Sequence, residues 1–489
     1  MSVKESSKGC TEKQSEPIIT SVASDVQSKC LLLIFSTCIL IVPASILQQL
    51  KAINGFDEAA FLAAHNVKPA ISVRKHPVKG HDLFAGYNSV PWCMGGVYLP
   101  ERPVFTLDPA FHSGAYYVQE ASSMFLHHIF TQATASRKGL RVLDLCAAPG
   151  GKSTLIASEL DADSLLISNE VIRTRASILE ENITRWGYMN TWVTGNDPRD
   201  FGKLEGYFDV IIVDAPCSGS GLWRKDAKAI NEWSEGNVQL CAARQQRILA
   251  DVWPALKTDG ILIYATCSFS PQEDEEILDW LGETFAVTGI PATPAKDWQI
   301  VETTSENNKL PGYRFFPDKV AGEGFFIAAV RKNDPTETIK APRFKPEQNR
   351  KISDQAGDLI DSGDLTYMNG KDGNYNIISA GMEADAHILQ KAVYIRKMGL
   401  EAGMPAGKDW IPAHDIALSV HLNKNTPSFE VNKEQALRFL KREDMAIPAL
   451  EKGWHVVKYN GQGLGWVKGL GNRINNYLPK HWRIRMDIE

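Results

Sequence analysis

The chain has 489 residues, with 53 Lys and Arg against 58 Asp and Glu and a formal net charge of −5. That length allows two or three domains with buried cores. The charge excludes a polycation that coats nucleic acid along its whole surface, so any phosphate-binding surface must be local. None of the eight cysteines forms a C-x-x-C pair. A structural zinc site is therefore not expected, nor any other metal, and the scattered thiols suit a reducing cytoplasm better than a disulfide framework.

Residues 30–42 are almost wholly apolar and stop at Pro43. A bilayer span needs about 20 apolar residues. Residues 1–40 are thus expected to be an unstructured extension, or to reflect a start placed too far upstream, with no export and no stable membrane association. Apolar spacing predicts helix over 43–66, with Gly55 breaking it in two. A strand is expected at 70–74, turns and short strands over the Gly- and Pro-rich stretch 80–109, and a helix over 115–130.

From residue 141 the pattern changes. Apolar strands are expected at 141–145, 164–169, 191–194, 208–213 and 260–265. Helices are expected at 153–160, 173–186, 237–256 and 273–281, and a last, antiparallel strand at 325–330. Continuous apolar strands alternating with helices predict an α/β fold, a parallel sheet with helices on both faces. Ligands in such sheets bind outside the carboxyl ends of the strands. Residues 333–354 are polar, with prolines and basic residues, and read as a linker. From about residue 377 short strands recur, notably at 453–459, 464–468 and 481–485, as a small β-rich domain.

The polar residues at the strand ends suggest a cofactor. Cys146-Ala147-Ala148-Pro149-Gly150-Gly151-Lys152 follows the first strand, and paired glycines allow the backbone a close approach to a ligand. Gly151-Lys152-Ser153 is similar to the end of a phosphate-binding loop, but Cys146 stands where that motif needs its first glycine. Glu170 ends the second strand, where a carboxylate accepts ribose hydroxyls, and Asp197 ends the third, within reach of an adenine amine. Either acid alone is equally well explained as a helix cap. Carboxylates around a nucleoside, without clustered cations for phosphates, point to S-adenosylmethionine.

Two further strands end on thiols, in Asp214-Ala215-Pro216-Cys217-Ser218-Gly219 and Thr266-Cys267-Ser268. Buried cysteines are often mere filler, but thiols at two strand ends beside a methyl donor suit methylation of a cytosine at carbon 5. A thiolate adding at carbon 6 makes carbon 5 nucleophilic, and Asp214 could hydrogen-bond the base at nitrogen 3 or the exocyclic amine. The residues alone do not rank the two thiols.

These three motifs resemble those of the Nol/Nop/Sun family of RNA cytosine-5 methyltransferases, over about 41–332. The resemblance implies that Cys267 is the nucleophile, that Cys217 assists product release, and that Asp214 contacts both cofactor and base. It also implies that residues 146–152, Glu170 and Asp197 hold S-adenosylmethionine in a Rossmann-like domain over 136–332. An N-terminal α+β RNA-binding segment would cover 41–135, with a linker over 333–376. In Val73-Arg74-Lys75-His76-Pro77, His76 stands where the family has asparagine, which could alter RNA contacts.

The tail carries Gly453-Trp454, Leu464-Gly465-Trp466, Gly471-Asn472-Arg473 and Trp482-Arg483-Ile484-Arg485. It is similar to the PUA-like domain of bacterial ribosomal-RNA members, placed here at 377–489. Lys452, Lys458, Lys468, Arg473, Lys480, Arg483 and Arg485 lie in a stretch without Asp or Glu, interleaved with aromatics, as an RNA surface requires. The expected partner is 16S ribosomal RNA, free or within the small subunit, for a cytoplasmic monomer. The same chemistry on tRNA and a non-catalytic assembly role stay open.

Overall fold

A computed structural model describes residues 42–135, 137–340, 343–344, 350–356, 359–361, 363–445, 447 and 450–488. The expectation for residues 1–40 lies outside the described residues. The chain then opens on two short helices, Ala44–Leu50 and Glu58–His65, broken as expected around Gly55 at φ +84°. Three antiparallel strands follow: Ile71–Lys75 in the middle, Gly96–Leu99 and Tyr116–Val118 on its flanks. The last of these corrects the helix expected over 115–130. Pairing with Ile71–Lys75 holds Tyr116–Val118 extended, and the helix proper runs Leu126–Thr134.

The main sheet carries five parallel strands: β1 (Arg141–Asp144), β2 (Leu165–Asn169), β3 (Thr191–Thr194), β4 (Phe208–Asp214) and β5 (Leu256–Thr266). Their order is β5-β4-β1-β2-β3. Phe325–Lys332 lies antiparallel beside β5, as expected. Nearly every side chain of β1, β2 and β4 is buried, because helices cover both faces. Sequence order reverses between β1 and β4, so the loops leaving those two strands open a crevice between them. The Gly-rich loop and the Asp214 turn are those loops. Helix α1 (Gly151–Glu159) leaves the first, and α2 (Arg173–Trp186) follows β2.

The C-terminal third departs from expectation. Within the stretch read as a linker, Leu365–Asn369 pairs with Tyr375–Ser379, and both join Leu400–Ala406 and Asp409–Pro412 in a four-stranded sheet. Ile395–Lys397 crosses to extend the main sheet beside β3. Met382, Ala386 and Leu389 enter the same core as Leu143 and Ile211, and Asp385 accepts from Arg141 at 2.7 and 2.9 Å. A second sheet holds Ser428–Glu430, Gly453–Tyr459, Gln462–Gly469 and Ile474–Asn476. Residues 481–485, expected as a strand, start within a short 3-10 turn, Lys480–Trp482. Lys79 bolts these parts together, its buried Nζ donating to the carbonyls of Ser113, Arg185 and Leu418.

Among the described residues no helix is long and apolar enough to cross a membrane.

Candidate active site

Two glycines shape the site. Gly150, at φ +115°, turns the chain from β1 into α1 in a conformation that favours glycine. At Gly221 a Cβ would lie 2.3 Å from the Gly324 carbonyl oxygen and 2.8 Å from that of Cys267. The chains bearing the two thiols can therefore approach only through a bare backbone. Gly221 N–H donates to the Cys267 carbonyl at 2.9 Å.

This close approach sets Cys217 Sγ 3.0 Å from Cys267 Sγ, both as free thiols. The hydrogen bond shared with Cys267 and burial raise the Cys217 thiol well above its ordinary pKa. A cavity of about 440 Å³ is lined by Cys146, Lys152, Asp214, Cys267, Glu323 and Phe325, among others. Cys217 is not among its lining residues.

Lys152 Nζ donates to Asp214 Oδ2 at 2.7 Å and sits over the Phe325 ring at 5.2 Å. Burial disfavours its charge, but Asp214 more than offsets this and raises its pKa. Below the loop, Asp144 accepts from Ser153 Oγ at 2.6 Å. Burial pushes its carboxyl up to about 7 against the pull of that hydrogen bond and of Lys152.

The sequence-derived residues do not all converge. Cys146, Ala147, Ala148, Pro149, Gly151 and Lys152 line the cavity with Asp214 and Cys267. Glu170 is buried at the start of α2, accepting from Ile172 N–H at 2.9 Å and lying 3.2 Å from Arg175. It borders the site through Arg175, which lines the cavity and donates to the Ala148 carbonyl. Asp197 is outside the lining and caps the short helix Pro198–Phe201, accepting from Arg199 N–H at 3.2 Å.

Three contributors escaped sequence reasoning. Glu273 is fully buried and braces both thiol turns. It accepts from Ser218 N–H (2.8 Å), Ser218 Oγ (2.5 Å), Ser268 Oγ (2.6 Å) and Gln245 Nε2 (3.2 Å). A buried carboxylate is strongly unfavourable unless so satisfied, and these four donors fix Cys217 and Cys267 relative to one another. Its only signal is an acid six residues after Cys267.

Glu323 also lines the cavity, but its two oxygens are buried without a hydrogen-bond partner. Arg224 is 3.9 Å away, too far for one. Arg74 clamps α1 from the N-terminal sheet, donating to Gln119 (2.8 Å), Thr154 Oγ1 (2.6 Å) and the Gly151 carbonyl (3.3 Å).

His76 is wholly buried and so offers nothing to RNA. Its Nδ1 faces the backbone N–H groups of Val78 and Lys79 at 3.0 and 3.2 Å, which can only donate. The ring proton is therefore on Nε2, donating to the Trp186 carbonyl.

Three family models match this chain: "16S rRNA methyltransferase RsmB/F" over 132–331, "N-terminal domain of 16S rRNA methyltransferase RsmF" over 42–121, and "Methyltransferase RsmF PUA domain" over 426–484. A protein of Psychromonas ingrahamii named ribosomal RNA small subunit methyltransferase F is 31% identical over 442 residues, 84% of this chain and 88% of that one. The chain belongs to this family of 16S rRNA methyltransferases. A Shewanella sediminis protein of the same name is 29% identical over 475 residues, 89% of this chain and 95% of that one. The crystal structure of PH0851 shares the fold, with a TM-score of 0.52 at 22% identity over 60% of this chain and 66% of that chain.

Methyltransferases of this family take their methyl group from S-adenosylmethionine, and the cavity fits that donor. Beside the Gly-rich loop, Lys152 and Arg175 are already paired with Asp214 and Glu170, and the third lining cation, Lys225, is exposed at the edge shared with the neighbouring hollow. That leaves a site suited to a sulfonium and a ribose rather than to a triphosphate.

Proposed function

We propose that this chain methylates carbon 5 of a cytosine in small-subunit ribosomal RNA, with Cys267 as the nucleophile. One observation carries the reading: of two thiols in contact, Cys267 lines the cavity beside Asp214 and Lys152, while Cys217 does not. S-adenosylmethionine supplies an electrophilic methyl group, and residues 146–152 with Glu170 hold it. Asp197 caps the helix Pro198–Phe201 outside the cavity lining and is not assigned to the donor.

The target base leaves its stack to enter the cavity. Cys267 gives up its thiol proton to solvent, its sulfur bonds to carbon 6, and the electron pair of the 5,6 double bond is drawn toward carbon 5 and nitrogen 3. Asp214, held by Lys152, accepts from the exocyclic amine of the base, and the Lys152 charge lies beside that edge as negative charge develops there. Once carbon 5 carries the methyl group, its proton passes to solvent water, the 5,6 double bond re-forms from that C–H pair, and the carbon 6–sulfur bond breaks with its electron pair returning to Cys267 sulfur. Cys217 stands 3.0 Å from the departing sulfur, where its S–H can stabilise the thiolate as it leaves.

The expected result on denaturing gels is a covalent RNA adduct with Cys217→Ala and none with Cys267→Ala. An adduct that survives Cys267→Ala reverses the assignment. Bisulfite mapping of rRNA and tRNA from a deletion strain decides the substrate; loss of a tRNA signal with rRNA unchanged would transfer the same chemistry to tRNA.

A further inference from the structure

A second hollow, of about 670 Å³, adjoins the cavity that holds Cys267. Val118, Gln119, Glu120 and Lys225 line both, so the two are neighbours that share a wall. Lys68 and Arg102 also line the second hollow, and they and Lys225 are exposed.

The lining carboxylate, Glu120, is turned inward. Its oxygens accept the backbone N–H groups of Ser122, Ser123 and Glu323, each at 2.9 Å. The walls are tied together by Arg224, which donates to the Gly322 carbonyl at 3.1 Å and the Lys68 carbonyl at 3.2 Å. The groove is thus preformed, and its free charge is cationic. Charged surface residues usually serve only to hold water, but these form the wall of a groove beside the thiol cavity.

We propose that this groove carries the sugar–phosphate backbone of single-stranded RNA next to the target base, with phosphates against Lys68, Arg102 and Lys225. The identity of the strand rests on the methyltransferase reading. A single strand is favoured because its base enters the cavity without the cost of unpairing a duplex, and this groove lies beside that cavity.

The test uses the full chain and a labelled single-stranded fragment of 16S rRNA, its binding followed across a salt series. In Lys68→Ala/Arg102→Ala the slope of log affinity against log salt should fall by about 1.4, at roughly 0.7 for each phosphate that loses its cation. Affinity at low salt should drop roughly tenfold, while S-adenosylmethionine binding by calorimetry stays as in the unaltered chain, which shows that the fold is intact. The charge-conserving Lys68→Arg/Arg102→Lys should restore the slope. A slope unchanged in the alanine variant overturns the groove and leaves the methyltransferase reading untouched. A lowered slope from a protein that transfers no methyl group to any rRNA has the opposite meaning: the groove stands and the enzymatic reading falls.

Discussion

The thiol cleft and the C-terminal sheet handle charge in opposite ways. In the cleft each charge nearest the sulfurs is answered: Glu273 by four donors, Lys152 by Asp214, Arg175 by Glu170. Around the C-terminal sheet Lys452, Arg473, Lys480, Arg483 and Arg485 are exposed, in a stretch with no acid. Chemistry needs groups fixed before the substrate arrives. Phosphate affinity needs charges whose counterions can leave. Substitutions in the first region should therefore act on kcat, and those in the second on affinity and its salt dependence.

The largest expected effect is at Cys267. Its replacement by Ala should lower single-turnover methyl transfer by on the order of 10⁴-fold or more, since removing a nucleophile removes the pathway. S-adenosylmethionine binding by calorimetry should be unchanged; residual transfer within tenfold of the parent would break the contrast at its strongest point. Next comes Glu273→Gln, which places an amide donor against Ser218 and Ser268. The thiol turns lose their brace, and kcat should fall about 10²-fold through misplacement alone. KM for RNA should hardly move. An equal change in KM and none in kcat would mean that the brace serves binding instead.

Glu323 sharpens the comparison because it is the cleft's unanswered acid. Burial raises its pKa to about 7, against the opposing pull of Arg224 and Lys225. A raised carboxyl pKa means that the folded chain holds a proton the unfolded chain has already lost. Its contribution to stability is therefore complete below the unfolded value of about 4.3 and is lost as pH rises to about 7. Glu323→Gln removes that penalty. Urea denaturation should show it more stable than the parent by about 3 kcal/mol at pH 8, and nearly equal to it at pH 4. A destabilised variant at pH 8 would show instead that the Arg224 ion pair outweighs desolvation.

The same contrast explains what could be read in advance. The parallel strands were legible because fully buried strands are continuous apolar runs between Gly-rich or polar turns, and the motif residues stand at their ends by position alone. Glu170 and Asp197 carried identical local signals, yet one borders the cavity and the other caps a helix beyond its lining; an acid after a strand has the same sequence in either role. Glu273 was invisible because a satisfied buried carboxylate depends on Ser218, Ser268 and Gln245, which come together only in the fold. Apolar spacing of 3.6 fitted 115–130, but strand pairing won over Tyr116–Val118. The crossing of Ile395–Lys397 to β3 joins residues about 200 apart, and no local pattern reports such a contact.

The smallest effects belong to the exposed tail cations. Each one solvated in the free protein contributes little to folding, so Arg473→Ala/Arg483→Ala should melt within about 1 °C of the parent, surface changes being worth under about 0.5 kcal/mol. RNA affinity at low salt should fall several-fold and the salt slope by up to about 1.4, converging with the parent as salt rises. Turnover at saturating RNA should be unchanged, because neither residue lines the thiol cavity. A fall in kcat at saturation would mean that the C-terminal sheet helps to seat the base, and the division between fixed and exchangeable charge would then not follow the boundary between the two regions.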